Sequence, residues 1–159
     1  SEPEAVIIGL AGKPTLDFVK AFRSQRRGTP LYALSVMGAA ATLQALGGDA
    51  AGMAITQVVP QPTNPAVPIV REFVQVWKNA NMAQEPSHSA LEGYIIARTF
   101  CEALQRAGKN PSRAAFIDAT WSLKKWDMGG FEINATEPGQ NASRFVKLTL
   151  VGRDGRFMR

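Results

Sequence analysis

The chain is short of almost every residue type on which catalytic or metal chemistry is built. Its 159 residues include one cysteine, Cys101, and one histidine, His88. A lone cysteine excludes an internal disulfide and a zinc cluster of thiolates, and it fits either redox compartment. A Ser-His-Asp triad would have to use His88. That residue follows Pro86 and Ser87 at a predicted helix start, where a polar side chain needs no catalytic role. Asp17, Asp49, Asp118, Asp127 and Asp154 are scattered, and no two carboxylates stand at acid/base or metal-ligand spacing. P-loop, dinucleotide and nucleophile-elbow patterns are all missing. The expectation is a protein that is not an enzyme and uses neither cofactor nor metal.

Long apolar runs are also missing, since none approaches the ~18 residues that a membrane span requires. The first residues, Ser1-Glu2-Pro3-Glu4, are acidic and do not form a signal peptide, as in a mature or trimmed chain. The net charge of +5 raises the question of nucleic acid. Yet basic residues are dispersed from Lys13 to Arg159, with only Arg26-Arg27 and Lys124-Lys125 adjacent. Both pairs fall near predicted helix ends, where cations meet the negative end of the helix dipole. A solvated basic surface is expected, and no nucleic-acid partner.

What is present is a globular composition, 45% hydrophobic and 19% charged, with a pattern that changes character part-way along. Ala5-Val6-Ile7-Ile8-Gly9-Leu10 is short, β-branched and continuously apolar, as a buried parallel strand should be. A turn with Pro14 opens a helix to about Arg27, with Leu16, Val19 and Phe22 at helical spacing and Gly28 as its stop. Leu31 to Val36 reads as a second strand, so the unit is β-α-β, with a parallel sheet and a right-handed crossover. A short helix from Ala40 to about Leu46 and a third strand from Gly52 to Val59 follow. Pro60, Pro62, Pro65 and Pro68 then mark a linker or hinge.

Three helices are predicted next: about Val67 to Asn79, about Ser89 to Ala107, and one opened by Asn110-Pro111. The middle helix carries the stripe Leu91, Tyr94, Ile95, Cys101 and Leu104. Trp77, Trp121 and Trp126 sit on or near apolar faces, so packing explains them better than a stacking platform for bases or sugars. In the tail, Phe131, Ile133 and Ala135 alternate with polar residues up to a turn at Glu137 to Gln140. Val146, Leu148 and Leu150 alternate with Lys147 and Thr149 before a hairpin turn at Asp154-Gly155. Asn134-Ala135-Thr136 and Asn141-Ala142-Ser143 match the glycosylation pattern, but such short matches arise by chance. The order suggests two lobes with the chain passing between them twice. The expected segments are 1–58, then 59–130 with hinge and helices, then 131–159 as returning strands.

Several segments carry a resemblance. Val6 to Gly28, with Lys13-Pro14 opening and Arg26-Arg27-Gly28 closing the helix, resembles type I periplasmic substrate-binding proteins of branched-chain amino-acid ABC importers. Thr29-Pro30-Leu31-Tyr32, Gly48 to Met53, Val59-Pro60 with Asn64-Pro65, and Glu72-Phe73 follow in that family's order. So do Leu91-Glu92-Gly93-Tyr94-Ile95-Ile96-Ala97, Gly129-Gly130-Phe131, Asn141-Ala142-Ser143 and Gly152 to Gly155. The resemblance implies the carboxy-terminal half of such a protein: partial Rossmann-like lobes with a carboxy-terminal β-hairpin. It implies a periplasmic protein that binds a small solute non-covalently in an interlobe cleft and delivers it to an ABC permease. A ligand-sensing regulatory or receptor domain on the same fold is the alternative.

The resemblance also implies ligand contacts at Leu10, Ala11 and Gly12, at Ser35 and Val36, and at Ser89 and Leu91. The family's amino-acid binders often place an aromatic near Ala11 and a carboxylate near Ser35. A serine donates and accepts hydrogen bonds but does not neutralise an ammonium group. The ligand is therefore expected among amino acids and aromatic or carboxylate compounds. The three helices lack sheet strands to cover, so a missing amino-terminal half or a second copy of the chain is expected as partner.

Overall fold

The computed structural model describes residues 2–158, which divide into two compact units. One comprises residues 1–58 and 146–159, the other 59–145. The return to the first unit falls at Val146, later than the expected 131, because residues 131–145 stay with the helices. Phe131 is buried and its ring lies 5.8 Å from that of Phe145.

The first unit is built on a four-stranded sheet ordered β1-β2-β3-β6. Strands β1 (Val6–Ile8), β2 (Leu31–Ala33) and β3 (Ala54–Gln57) are parallel, and β6 (Lys147–Leu150) joins β3 antiparallel. Each strand is shorter than its apolar run, since the ladder lasts only while neighbours stay in register. The β1–β2 pairing, for instance, runs from Val6↔Leu31 to Ile8↔Ala33. The second run, read as a strand to Val36, leaves the sheet after Ala33 and forms a 3-10 turn at Ser35–Met37.

Helices α1 (Lys13–Gln25) and α2 (Ala40–Leu46) cover one face of this sheet. Ile8, Leu31, Ala33 and Ile55 from the strands, with Met53 and Val151 at their ends, meet Val19, Leu43 and Leu46 from the helices in one buried cluster. Each fully buried aliphatic side chain contributes about 1.5–3 kcal/mol, so this cluster is what holds the unit together. The α1 helix ends at Gln25, short of the expected Arg27, and the buried Arg23 secures the exit. Its guanidinium donates to the carbonyls of Arg27 at 2.7 Å and Thr29 at 2.9 Å, so a charge inside the unit is satisfied by backbone. The Asp154-Gly155 turn forms as expected, with Val151 bridging Phe157 and Gly155 at φ 73°.

The second unit opens on the proline-rich segment and consists of α3 (Pro68–Asn79), α4 (His88–Ala107), α5 (Arg113–Trp121) and the short hairpin β4 (Trp126–Asp127) with β5 (Glu132–Ile133). Aromatic rings link its helices. Phe73 of α3 lies 5.5 Å from Tyr94 of α4, and Phe100 of α4 lies 5.1 Å from Phe116 of α5. Helix α5 begins later than Asn110-Pro111 suggests. Its cap is Ser112, whose Oγ accepts from the Ala115 N–H at 3.1 Å, while Asn110 takes φ 52° in the preceding turn.

The hairpin loop lies against the first turn of α3. The Gly129 carbonyl accepts from the Ile69 N–H, and a Cβ on Gly129 would stand 2.9 Å from Pro68 Cβ at φ 90°, so only glycine fits there. The buried stripe of α4 is Leu91, Ile95 and Ala103. Cys101 and Leu104, expected in it, are exposed because they lie about a quarter-turn or more away from that line. The three tryptophans are half-buried; Trp77 packs on Phe73 and donates to the Gln84 carbonyl at 2.8 Å.

Candidate functional site

The parallel pairing of β1 with β2 fixes where the loops that leave them lie. Ile8 is opposite Ala33, so the segments Gly9–Gly12 and Leu34–Met37 emerge side by side at the carboxyl edge of the sheet. In open α/β sheets this is the edge where loops diverge and ligands bind. Five of the seven expected residues are thereby brought together in one unit. Leu10 is 42% and Val36 61% exposed, Ala11 and Gly12 are exposed, and Ser35 is half-buried.

Local chemistry explains both turns. Gly12 takes φ 65° as the residue that caps α1, a conformation other residues rarely adopt, and its carbonyl accepts from the Thr15 N–H at 3.1 Å. Pro14 in the first helical turn lacks an N–H that the helix would leave unpaired anyway. The second turn is closed by the Gly38 N–H donating to the Ser35 carbonyl at 2.8 Å. A Cβ on Gly38 would lie 3.2 Å from the Phe157 ring, 3.2 Å from the Ser35 oxygen and 3.3 Å from Gln57 Nε2. The seat of Ser35 therefore depends on a glycine, on the end of β3 and on the carboxy-terminal hairpin.

Two buried polar atoms flank these turns without a hydrogen bond among the described residues: Thr15 Oγ1 and Gln57 Nε2. Thr15 stands in the first turn of α1, and Gln57, only 2% exposed, ends β3. Leaving such a group unpaired costs about 1–3 kcal/mol. Gln57 lies inside the expected third strand and is not singled out by the sequence; its place beside Gly38 depends on the fold.

Ser89 and Leu91 belong to the second unit. Ser89 is exposed in the first turn of α4, whose cap is Ser87, with Oγ accepting from the Ala90 N–H at 3.2 Å. Leu91 is fully buried and packs inside the unit, so its side chain is not offered to solvent. Just before them in the same turn, burial lowers the pKa of His88 to about 4, so it is neutral near pH 7. Two surface recesses lie elsewhere in this unit. One of about 260 Å³ is lined by Asn134, Gln140, Arg144 and Phe145, the other of about 390 Å³ by Val70, Arg71, Lys78 and Glu85. Neither includes an expected contact residue. Among the described residues no group of His, Cys, Asp and Glu could hold a metal ion.

With this geometry in place, the comparisons with known proteins are decisive. A family model described as periplasmic binding protein matches residues 1–156. The chain belongs to the periplasmic binding protein family. Its members are ligand-binding transport proteins rather than enzymes, and the type I fold accounts for the parallel sheet with flanking helices. Among solved structures, a possible leucine/isoleucine/valine-binding protein from Rhodopirellula baltica is 27% identical, with TM-score 0.85, and the match covers 99% of this chain and 43% of that one. An extracellular ligand-binding receptor from Verminephrobacter eiseniae is 31% identical, with TM-score 0.82, covering 98% of this chain and 44% of that one. A branched-chain amino-acid ABC transporter protein from Thermus thermophilus, with bound valine, shares the fold at 14% identity and TM-score 0.72. No curated protein matches significantly. The chain spans less than half the length of the solved relatives it matches.

Proposed function

We propose that this chain contributes the carboxy-terminal part of a periplasmic protein that holds a small solute non-covalently and passes it to an ABC importer permease. The observation that carries the reading is the juxtaposition of Leu10, Ala11 and Gly12 with Ser35 and Val36 at the carboxyl edge of a parallel sheet. Ser89 is a further proposed contact, carried by the second unit; Leu91 serves by fixing the turn on which Ser89 sits.

The preferred cargo is a neutral, aromatic or carboxylate compound, or an amino acid held without a carboxylate counter-charge at position 35. Ser35 offers one hydroxyl, and the exposed Leu10 and Val36 offer apolar surface. Isothermal titration with valine, phenylalanine and benzoate tests this. Ser35→Ala is expected to weaken the bound compound by roughly three- to tenfold, the worth of one hydrogen bond. Unchanged affinity for all three would remove Ser35 from the site.

A ligand-sensing receptor is the second reading, favoured by the description of the Verminephrobacter eiseniae relative. Uptake of the bound compound that depends on the protein supports import; a transcriptional or behavioural response without uptake supports sensing.

A further inference from the structure

The two Asn-Ala motifs of the tail meet in the folded chain. Asn134-Ala135-Thr136 follows β5, Asn141-Ala142-Ser143 returns after the turn at Glu137 to Gln140, and the Asn134 N–H donates to the Ala142 carbonyl at 2.7 Å. All four polar side chains of the motifs line the recess of about 260 Å³ in the second unit, together with Glu132, Arg144 and Phe145. The recess is built from one unit and contains none of the proposed solute contacts.

Its polar groups are held in place yet keep hydrogen-bonding capacity. Asn134 Oδ1 accepts from the Lys125 N–H at 3.1 Å, which fixes the amide and leaves both Nδ2 hydrogens available. Ser143 Oγ accepts from the Phe145 N–H at 3.1 Å and keeps its own proton to donate. Gln140 is engaged by Thr136 and Glu137, and its N–H donates to the Glu137 carbonyl at 3.3 Å, so the turn between the motifs is tied. Among the described residues the Arg144 guanidinium, the Glu132 carboxylate and the Asn141 amide pair with no other group.

This lining selects a class of ligand. Arg144 and Glu132 carry opposite charges, so the recess has no net charge with which to hold a lone anion or cation. Amides, a guanidinium, a carboxylate and a hydroxyl present donors and acceptors together, which matches a molecule whose every hydroxyl both donates and accepts. The half-buried ring of Phe145, 5.8 Å from the buried Phe131, supplies an apolar wall for C–H groups. At about 260 Å³ the space lies below the ~300–1,000 Å³ of drug-sized pockets, so it suits a single ring. A zwitterion would span the two charges but brings only two polar ends to a lining that is polar on both limbs of the loop.

We propose that this recess is a binding site in its own right, for one neutral monosaccharide ring. Asn134 Nδ2, Ser143 Oγ and Arg144 donate to its hydroxyls, Glu132 accepts from them, and its C–H face rests on Phe145. The inference goes beyond solute delivery and does not depend on it.

Backbone amide shifts in two-dimensional proton–nitrogen NMR test it. The probes are D-glucose, D-galactose and D-mannose, with valine and benzoate as the charged alternatives. Each is added to about 50 mM, because a small open recess is expected to bind in the millimolar range. The expected result is saturable shifts at residues 131–145 with at least one sugar, and none there with valine or benzoate. Asn134→Asp keeps the acceptor for Lys125 but removes both donors, and Arg144→Gln alters an exposed side chain. Each should weaken the sugar by roughly three- to tenfold, whereas Lys20→Gln on α1 should leave it unchanged. If Asn134→Asp disturbs the amide pattern of the loop, Arg144→Gln carries the test alone. The absence of saturable shifts at 131–145 with all three sugars overturns the proposal. So does sugar affinity that Arg144→Gln leaves unchanged, and so do shifts there with valine or benzoate alone, which would make the recess a site for charged ligands. The solute-binding reading rests on the other unit, so a failure here leaves it standing.

Discussion

The two units reach a packed interior by different routes. The first is a sheet closed on one face by α1 and α2, with a contiguous aliphatic cluster centred on Ile55 and Leu31. The second is three helices and a two-residue hairpin, held by aromatic contacts around Phe73 and by backbone contacts such as Gly129 to Ile69. The first carries the proposed ligand turns because its strand ends converge by register. The second carries all three tryptophans and the lone histidine. A sheet positions loops through backbone pairing, whereas the helical unit depends on each side-chain contact it makes.

That difference is open to direct attack. Phe73 is 2% exposed and meets both Trp77 and Tyr94, so Phe73→Ala should cost about 3–5 kcal/mol. The matching change in the sheet unit, Ile55→Ala, should cost about 2–5 kcal/mol, Ile55 being fully buried on a strand paired on both sides. Tryptophan fluorescence reports only the second unit, so denaturation followed by fluorescence and by circular dichroism separates the two. Phe73→Ala should shift the fluorescence midpoint, whereas Ile55→Ala should leave it in place and shift only the smaller share of the dichroism that α1 and α2 contribute. Equal shifts by both probes would show that the units unfold as one.

A smaller effect comes from acid. The pKa of His88 is lowered from 6.5 to about 4 in the folded protein. The unfolded chain therefore binds the proton first, and stability falls as pH drops from about 6.5 towards 4. At pH 5 the loss is on the order of 2 kcal/mol, absent above pH 7. His88→Gln should flatten this dependence in denaturation measured at pH 7.5 and 5.0. An unchanged slope would assign the acid sensitivity to other groups.

Smallest is the cap of α5. Ser112→Ala removes the hydrogen bond to the Ala115 N–H and should cost about 1 kcal/mol, seen by fluorescence. A shift confined to the dichroism of the sheet unit would contradict the division drawn above.

Much of this architecture was legible in the chain. The β-branched runs and glycine stops announced a parallel unit, and four closely spaced prolines marked the change of character near residue 60. Helix α3 was legible almost to the residue, expected from about Val67 to Asn79 and formed at Pro68–Asn79, although Pro68 had been counted with the hinge. Where signals competed, boundaries moved. Asn110-Pro111 reads as the start of α5, yet the cap is Ser112, whose Oγ accepts from the Ala115 N–H. The α4 stripe included Cys101 and Leu104 because hydropathy marks apolar residues without saying whether anything stands opposite them.

The ligand turns divide in the same way. Gly12 and Pro14 foretold a turn into a helix, since their backbone preferences are local. That Ser35 lies beside that turn, backed by Gln57 and Phe157, depends on strand register and on a hairpin more than 100 residues away. Composition and periodicity thus settled most element types and the parallel sheet, because these follow from propensity and spacing. The convergence of the two turns, the meeting of the two Asn-Ala motifs around one recess and the exposure of Cys101 and Leu104 on α4 came only with the folded chain. Burial is a property of what packs against a residue, and no stretch of sequence carries that information about itself.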